Sequence, residues 1–526
     1  MRRLSVFLQV VDVWLVALLW LGLIVLCWHR KRALAPWLRP ATRPAVWAYA
    51  LILIAGVLAR VFWVPHTHYV FDDELMHIDI ARNIQEHWRF AFSLSDCGPV
   101  EAAYRLPQWG PAFHVLLAFV FRLFGSSSAA VFALNATVGA LTVPVAFAIG
   151  KVALGRDSAA LVLAGLLCSY PLHLKFSGGG NLEPTSLLLA MLALFAVFVF
   201  ARDPKPWAGA MALVAVMLAA LTRIENGILA GYVVVILLRG ARRLDRAARV
   251  RLITGCGLVM VLLCFQAVVA FRLYAYWRRQ ETSTHLLSAI DFLFGNPLNP
   301  VVLPLLALGG AFALWREKRP LVLALLSAWA AYTFTYTVVQ RLDLTAGDFQ
   351  RYNLGIAPVQ LLLAVGAVDA VARWKRRAAG AVLVFVAVLW VAGLVRAMGP
   401  IQAPYHAAPM TEVEWLRRAS ASVPRGALIC TATPVFVRSV TGLKATLPAM
   451  LPREEESRRD LFYYRAAPWK RPLDLWNRDP DEEVTSRFRL DTLAEFEIRP
   501  GAPSIGLYRM SARRDPGPAG VSDTDR

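Results

Sequence analysis

Apolar runs of membrane-spanning length recur along most of the chain, separated by short polar intervals. They predict helices over roughly 6–27, 45–64, 112–124, 129–150, 158–173, 184–201, 208–222, 227–238, 252–271, 301–315, 321–339, 354–372 and 378–398. A helix needs roughly 20 apolar residues to cross the hydrocarbon layer, so the pattern is that of a polytopic membrane protein. The first run follows Met1-Arg2-Arg3 but is too long for a signal-peptide core. Basic residues follow it instead of a small-residue cleavage site, so it reads as a retained anchor. After Gly399 the pattern turns mixed. Trp415-Leu416 falls on a predicted helix, and Ala427 to Thr431 reads as a short buried strand bounded by Pro424-Arg425-Gly426 and Pro434. The expected organisation is N-terminal transmembrane helices over 1–64, a first external loop over 65–111 and a transmembrane core over 112–400. An external α/β domain over 401–510 and a disordered tail over 511–526 complete it.

Composition agrees with this pattern. The 526 residues are 57% hydrophobic and only 17% charged, against about 25% charged in a typical soluble protein. The formal net charge of +20 would suit nucleic-acid binding in a soluble chain. Here the basic residues sit in short clusters between apolar runs, the signature of the positive-inside rule. The expected surroundings are therefore a lipid bilayer, with no nucleic acid as partner. Arg30, Lys31, Arg32, Arg39 and Arg43 mark one cytoplasmic loop. Arg239 to Arg251, Arg316 to Arg319 and Arg373 to Arg377 mark three more. This assignment makes 65–111, 272–300, 340–353 and everything after 399 external, in a multi-pass plasma (inner) membrane protein whose site faces the periplasmic or outer side. One inconsistency follows. Six candidate spans between 112 and 238 would return the chain to the outside at 239, where the charges require the inside. One of the six is thus a half-span, a re-entrant piece or a kinked continuation. The pattern leaves open which one, and on which side the 174–183 loop lies.

Candidate chemistry concentrates in the first external loop. Asp72 can cap a helix running to about Trp88, with Met76, Ile80, Ala81, Ile84 and Trp88 on one side and Asp79, Arg82, Asn83 and Glu86 on the other. Such a helix can lie flat on a membrane surface. Acids at a helix N-terminus offset its dipole, but three adjacent acids, Asp72-Asp73-Glu74, exceed what capping needs.

Asp73-Glu74 followed by Ile80-Ala81-Arg82 resembles the D-E-x-x-x-x-x-I-A-R segment of GT-C glycosyltransferases, in particular protein O-mannosyltransferases and lipid A aminoarabinose transferases. In that family the segment opens the first external loop; here one additional span precedes it. Tyr104-Arg105-Leu106-Pro107 is similar to the family's Y-K-P-P, with Arg105 in place of Lys and Leu106 in place of the first Pro. Arg351-Tyr352, with Pro358 and Leu361-Leu362-Leu363, resembles its late R-Y motif. The likeness extends over roughly 45–400.

The resemblance implies an all-α polytopic membrane protein of the GT-C fold, with about 11–13 transmembrane helices and a small external α/β C-terminal domain. It implies a glycosyltransferase that inverts at the sugar carbon: an acceptor hydroxyl attacks while a polyprenyl phosphate leaves. The partners it implies are a polyprenyl-phosphate sugar donor and an envelope glycan, lipid or protein acceptor. Such a reaction needs a carboxylate within reach of the hydroxyl proton and cations on the leaving phosphate. By resemblance Asp73 is the base and Glu74 its catalytic neighbour, a candidate for orienting the acceptor, and Arg351, Arg105 and Arg60 are candidates for the phosphate. Arg60, about one turn from Trp63, is either such a contact or a side chain snorkelling to the interface. Tyr352, Asp72, His77 and Glu183 are expected to contact substrate. His66, His68 and His77 cluster near the acids, but the resemblance implies no metal and no other cofactor. Arg223-Ile224-Glu225-Asn226 is either an ion pair in a broken helix or a short loop, and Gly178-Gly179-Gly180 reads as a hinge or turn. The competing reading is a transporter or flippase of a lipid-linked saccharide, which would carry repeats and ionisable groups at mid-depth. A membrane scaffold without catalysis is a third.

Overall fold

Proline, glycine and capping residues divide the apolar sequence into helices. The computed structural model describes residues 2–69, 71–93, 95–96, 104–105, 110–277, 286–340, 342, 344, 347–373, 376–403, 407–451, 460–466, 480–497 and 504–512. Helices α1 (Arg2–His29), α2 (Lys31–Leu38) and α3 (Arg43–Leu58) come first. The Thr42 hydroxyl accepts from the Ala45 amide at 3.4 Å and caps α3, ahead of Pro44 in its first turn. A π turn, Ala59–Trp63, ends that span. Helix α4 (Phe71–His87) and a two-stranded ribbon, β1 (Phe92–Ser93) with β2 (Tyr104–Arg105), follow. Then come α5 (Ala112–Phe124), α6 (Ser128–Leu154), α7 (Asp157–Cys168), α8 (Pro171–Ser177), α9 (Glu183–Arg202), α10 (Pro206–Ala220) and α11 (Gly227–Ala241). The bundle closes with α12 (Arg246–Trp277), α13 (Leu286–Phe294), α14 (Val302–Phe334), α15 (Ala357–Ala372) and α16 (Arg376–Gln402).

Among the described residues, eight helices are long and apolar enough to cross a membrane, or ten if two bent pairs count as one span each. Those pairs are α7 with α8 and Phe349–Gly355 with α15, each bent by 56°. Helix α14 is itself two arms. Its backbone leaves helical geometry at Lys318, two residues before Pro320, whose ring cannot continue the hydrogen-bond ladder. The arms correspond to the two predicted runs 301–315 and 321–339. The first arm packs so closely on α15 that a Cβ on Gly310 would lie 1.7 Å from the Leu363 carbonyl oxygen, a contact only glycine permits.

The bundle has two chemically distinct ends. At one, Lys151 pairs with Asp157 at 3.1 Å, Arg373 with Glu317 at 2.9 Å and Arg156 with Asp369 at 3.5 Å, and Arg202 lies over Trp37. At the other, Asp73, Glu74, Glu183, Arg223 and Arg351 meet.

These ends resolve the odd count. Helix α5 has 13 residues, about 20 Å at 1.5 Å per residue, and both of its ends lie against α4. At its start His114 meets His77 at 2.9 Å. Past its finish Arg82 donates to the Ser126 carbonyl at 3.1 Å. It therefore runs beside α4 without crossing. The bent pair α7–α8 does cross: Asp157 is at the basic end, and the Gly180 amide, just past α8, reaches Glu74 at the other. The 174–183 loop accordingly belongs to the end that holds the acids.

Beyond α16 lie α17 (Ala407–Ala419), β3 (Leu428–Thr431), α18 (Pro434–Thr441), β4 (Lys444–Thr446), β5 (Leu461–Arg465), α19 (Pro480–Arg487), β6 (Phe488–Phe496) and β7 (Ile505–Ala512). The strands form one mixed sheet in the order β4-β3-β5-β7-β6, parallel among the first three and antiparallel at β5–β7 and β7–β6. The predicted strand at 427–431 is β3. Strand alternation gives the sheet two apolar faces. Leu428, Cys430, Leu461, Tyr463 and Tyr508 form one core, and Ile429, Phe462, Tyr464 and Leu507 join the main cluster. Ser511 and Ala512 end β7; the rest of the expected tail lies outside the described residues.

Candidate active site

Helix α4 is expected to lie on a surface with its polar side in water, and the structure corrects this. Its apolar side is buried as predicted, with Ile80, Ala81 and Ile84 in the core. Its polar side is divided: Asp79 and Asn83 are buried, Arg82 is half-buried and Glu86 is exposed. The Asp79 carboxylate accepts from the Ser93 amide at 2.7 Å and pairs with Arg438 of α18 at 3.5 Å. Arg438 also donates to Asp96 at 2.6 Å and to the Ser93 carbonyl at 3.2 Å. The C-terminal sheet is thereby tied to the helix that carries the acids. The tie continues where Ser95 bridges to Thr446 on the edge strand β4.

At the start of α4, Asp73 and Glu74 occupy different environments. Glu74 is fully buried. Its carboxylate accepts from the Tyr69 amide at 3.0 Å, the Gly180 amide at 2.9 Å and the Asn181 side-chain amide at 2.6 Å, and it meets His68 Nδ1 at 2.7 Å. Gly178-Gly179-Gly180, expected as a hinge or turn, is a turn that anchors Glu74. A Cβ on Gly180 would stand 2.8 Å from Glu74 Oε2. Asn135 of α6 fixes the same loop by donating to the carbonyls of Gly179 at 2.8 Å and Asn181 at 2.7 Å.

Asp73 is about one-quarter exposed and is ion-paired to Arg351, which is buried. Arg351 comes from the 3-10 segment Gly347–Gly355 leading into α15. It also donates to Asn181 Oδ1 at 3.2 Å and faces Glu183 Oε1 at 3.5 Å. Asn181 therefore bridges Glu74 and Arg351, so the two neighbouring acids are joined into one network. Glu183, the first residue of α9, is buried and binds Arg223 as well. Arg223 is 4.2 Å over the Tyr352 ring and Arg351 is 5.5 Å from it. The space beside these groups measures about 260 Å³, including the part open to the outside. Glu183, Arg223, Arg351 and Tyr352 line its polar side, and Leu187, Ala190 and Leu354 its apolar side.

Asp73, Glu183, Arg351 and Tyr352, which come from three separate stretches of sequence, thus meet at one place. Other expected members do not join them. Arg60, in the turn that ends the second span, does not join the cluster. It is fully buried, donating to the carbonyls of Gly56 at 2.9 Å and Cys168 at 3.4 Å and to His173 Nδ1 at 2.9 Å. The π turn at Ala59–Trp63 rotates it inward, towards α8. His77 is buried against α5 through His114 and the edge of Phe113. Burial first, then His114, Arg351 and Arg223, hold its imidazole well below the ordinary value of 6.5. The side chains of Asp72 and Arg105 lie outside the described residues. His66 meets the Arg60 carbonyl, His68 meets Glu74 and His77 meets His114, so the three histidines diverge. Among the described residues no group of three His, Cys, Asp or Glu side chains could hold a metal ion. Sequence reasoning passed over Asn135 and Asn181 and left Arg223 undecided. Polar residues within apolar surroundings were their only signal.

The fold is similar to that of ArnT from Cupriavidus metallidurans bound to undecaprenyl phosphate, at a TM-score of 0.57 and 14% identity, covering 89% of this chain and 98% of that one. It is also similar to the Archaeoglobus fulgidus oligosaccharyltransferase in complex with zinc and sulfate, at a TM-score of 0.52 and 12% identity, covering 88% of this chain and 73% of that one. At these identities the likeness is one of fold, and the fold is that of the GT-C glycosyltransferases. No curated protein sequence matches the chain. A family model described as a family of unknown function, DUF6541, matches residues 3–428, and the chain belongs to that family.

Proposed function

We propose that the protein is a membrane glycosyltransferase that moves a sugar from a polyprenyl phosphate to an acceptor hydroxyl. The observation that carries this reading is the pairing of a partly exposed carboxylate, Asp73, with a buried guanidinium, Arg351, beside a cleft that is charged on one side and apolar on the other. A polyprenyl-phosphate sugar has this same division: an anionic head at the membrane edge and a hydrocarbon tail. ArnT, which shares the fold, was crystallised with undecaprenyl phosphate. The charge rule turns the basic end to the cytoplasm and the cluster to the outer face, where envelope acceptors lie.

The chemistry follows from the geometry. The acceptor oxygen attacks the anomeric carbon from the side opposite the phosphate. Asp73 takes the hydroxyl proton as the new C–O bond forms, and the old C–O bond breaks with its electron pair leaving on the phosphate. Arg351 offers a planar fork of donors to that oxyanion. When phosphate engages the fork, Asp73 is released from its partner and becomes free to act as the base. Glu74 has the opposite character: buried, with several donors directed at its oxygens, it positions Asp73 and the 179–181 loop and is not a second base. Arg60 holds α3 against α8 and touches no substrate. The acids and guanidiniums gather at one end of the bundle, which supports an enzyme over a flippase. The test is transfer of labelled sugar by the purified protein from a panel of polyprenyl-phosphate sugars. Turnover of one donor supports the reading, whereas donor flipping across liposomes without transfer contradicts it.

A further inference from the structure

The chain turns from α10 into α11 at the end of the bundle that holds the acids, beside the cleft. Arg223 stands in extended conformation in this connection, ahead of the 3-10 turn Ile224–Asn226. The connection is pinned from three sides. The Asn226 amide donates to Ser186 Oγ of α9 at 2.8 Å and to the Ala219 carbonyl at 3.0 Å, and Tyr332 of α14 donates to Asn226 Oδ1 at 2.9 Å. Arg223 is therefore held in place by the bundle.

Its guanidinium plane lies over Tyr352, and it shares one carboxylate oxygen, Glu183 Oε1, with Arg351. Two guanidiniums this close repel each other, and Glu183 offsets the repulsion. Arg351 has further acceptors in Asp73 and Asn181, whereas the fork of five N–H donors on Arg223 has Glu183 Oε1 and, at 3.8 Å, Glu225. The mismatch is visible: Arg223 Nε and Glu183 Oε2 are both buried without a hydrogen-bond partner. Buried polar atoms left unpaired are uncommon and costly, and both belong to residues that line the cleft.

We propose that Arg223 is a second phosphate-binding residue of the donor site and that Glu183 is the spacer holding Arg223 and Arg351 at the separation a phosphate can bridge. This rests on the donor reading above. A phosphate oxygen in the cleft would supply the acceptor that Arg223 Nε lacks, with Tyr352 fixing the plane of that guanidinium. The glycosyl-transfer step is unchanged; the negative charge left on the phosphate is divided between two cations.

The test is binding of undecaprenyl phosphate and of undecaprenol to the full-length protein in nanodiscs, with no turnover required. The wild type is expected to prefer the phosphate. Arg223→Gln is expected to reduce that preference at least about tenfold, the scale of a charged hydrogen bond, and to leave undecaprenol binding as it is. A merely structural Arg223 would weaken both lipids together. Because Arg223→Gln removes the closer of the two cations at buried Glu183 and can misfold, the double variant Glu183→Gln/Arg223→Gln is measured beside it, and the same loss of preference is expected. Full phosphate preference in either variant overturns the role of Arg223. A wild type that binds both lipids equally sinks the donor reading itself, and the clamp with it.

Discussion

Arg351 and Asp73 lie 278 positions apart in the chain, and their side chains form an ion pair at the end of the bundle opposite its basic loops. One partner begins the helix after the second apolar run and the other precedes α15, so the pair exists only when both halves of the bundle are assembled. Arg351 is more deeply buried than Asp73, which leaves the carboxylate as the member that can meet an acceptor.

Replacing Arg351 with Ala removes the fork and leaves Glu183 sharing its charge with Arg223 alone. Donor KM is expected to rise and kcat/KM to fall by about 10²–10³, the scale of losing one transition-state donor. Steady-state kinetics at varied donor concentration check this. An unchanged kcat/KM removes Arg351 from the phosphate site.

Glu74 is expected to matter for the fold first. Glu74→Gln turns an acceptor-only group into one with an amide facing donors, and should cost about 2–3 kcal/mol of stability. Gly180→Ala, which places a methyl group against the same carboxylate, should act in the same direction. Thermal unfolding in detergent measures both, and unchanged unfolding temperatures would show that the buried network is not formed.

Arg438 ties the C-terminal sheet to α4 through Asp79 and Asp96. Arg438→Gln is expected to lower stability by about 2 kcal/mol and to reduce transfer while donor affinity stays near that of the wild type. Asp79→Asn should reproduce part of the effect. Loss of donor binding in either variant would place the sheet in the donor site, contrary to this account.

The His77–His114 contact gives a pH dependence. The folded His77 imidazole titrates well below 6.5, and burial alone pushes His114 down to about 3. The unfolded chain takes up these protons below about pH 6.5 and the folded chain does not, so protons favour unfolding. Stability is expected to hold above pH 6.5 and to fall as the pH drops below it. His77→Leu should make the difference in unfolding temperature between pH 7.5 and 5.5 smaller. An equal difference in the variant would mean that His77 is accessible and charged in the folded protein.

The apolar pattern located nearly every helix, because span length and the Lys and Arg clusters are local properties of the sequence. It also showed that one segment between 112 and 238 had to fail as a span. Finding that α5 was the one took the contacts at its two ends, His114 with His77 and Arg82 with Ser126, which no local pattern contains. Asp73, Arg351 and Tyr352 were legible through the resemblance of the motifs that carry them, and Glu183 as an acid between a glycine loop and a helix. Arg60 was misread because a π turn rotates it inward, and the pitch of a turn is not written in composition. Glu74 and Asp73 are adjacent and chemically alike in sequence; only the 179–181 loop, folded over Glu74, separates their roles.

The central claim is that Asp73 is the base of a sugar transfer from polyprenyl phosphate. The most direct measurement is single-turnover transfer by the purified protein and by Asp73→Asn, with the preferred polyprenyl-phosphate sugar saturating. Asp73→Asn is expected to bind the donor and to lose about 10²–10⁴ of the transfer rate, the contribution of a positioned base. Transfer by Asp73→Asn at the wild-type rate would contradict that claim.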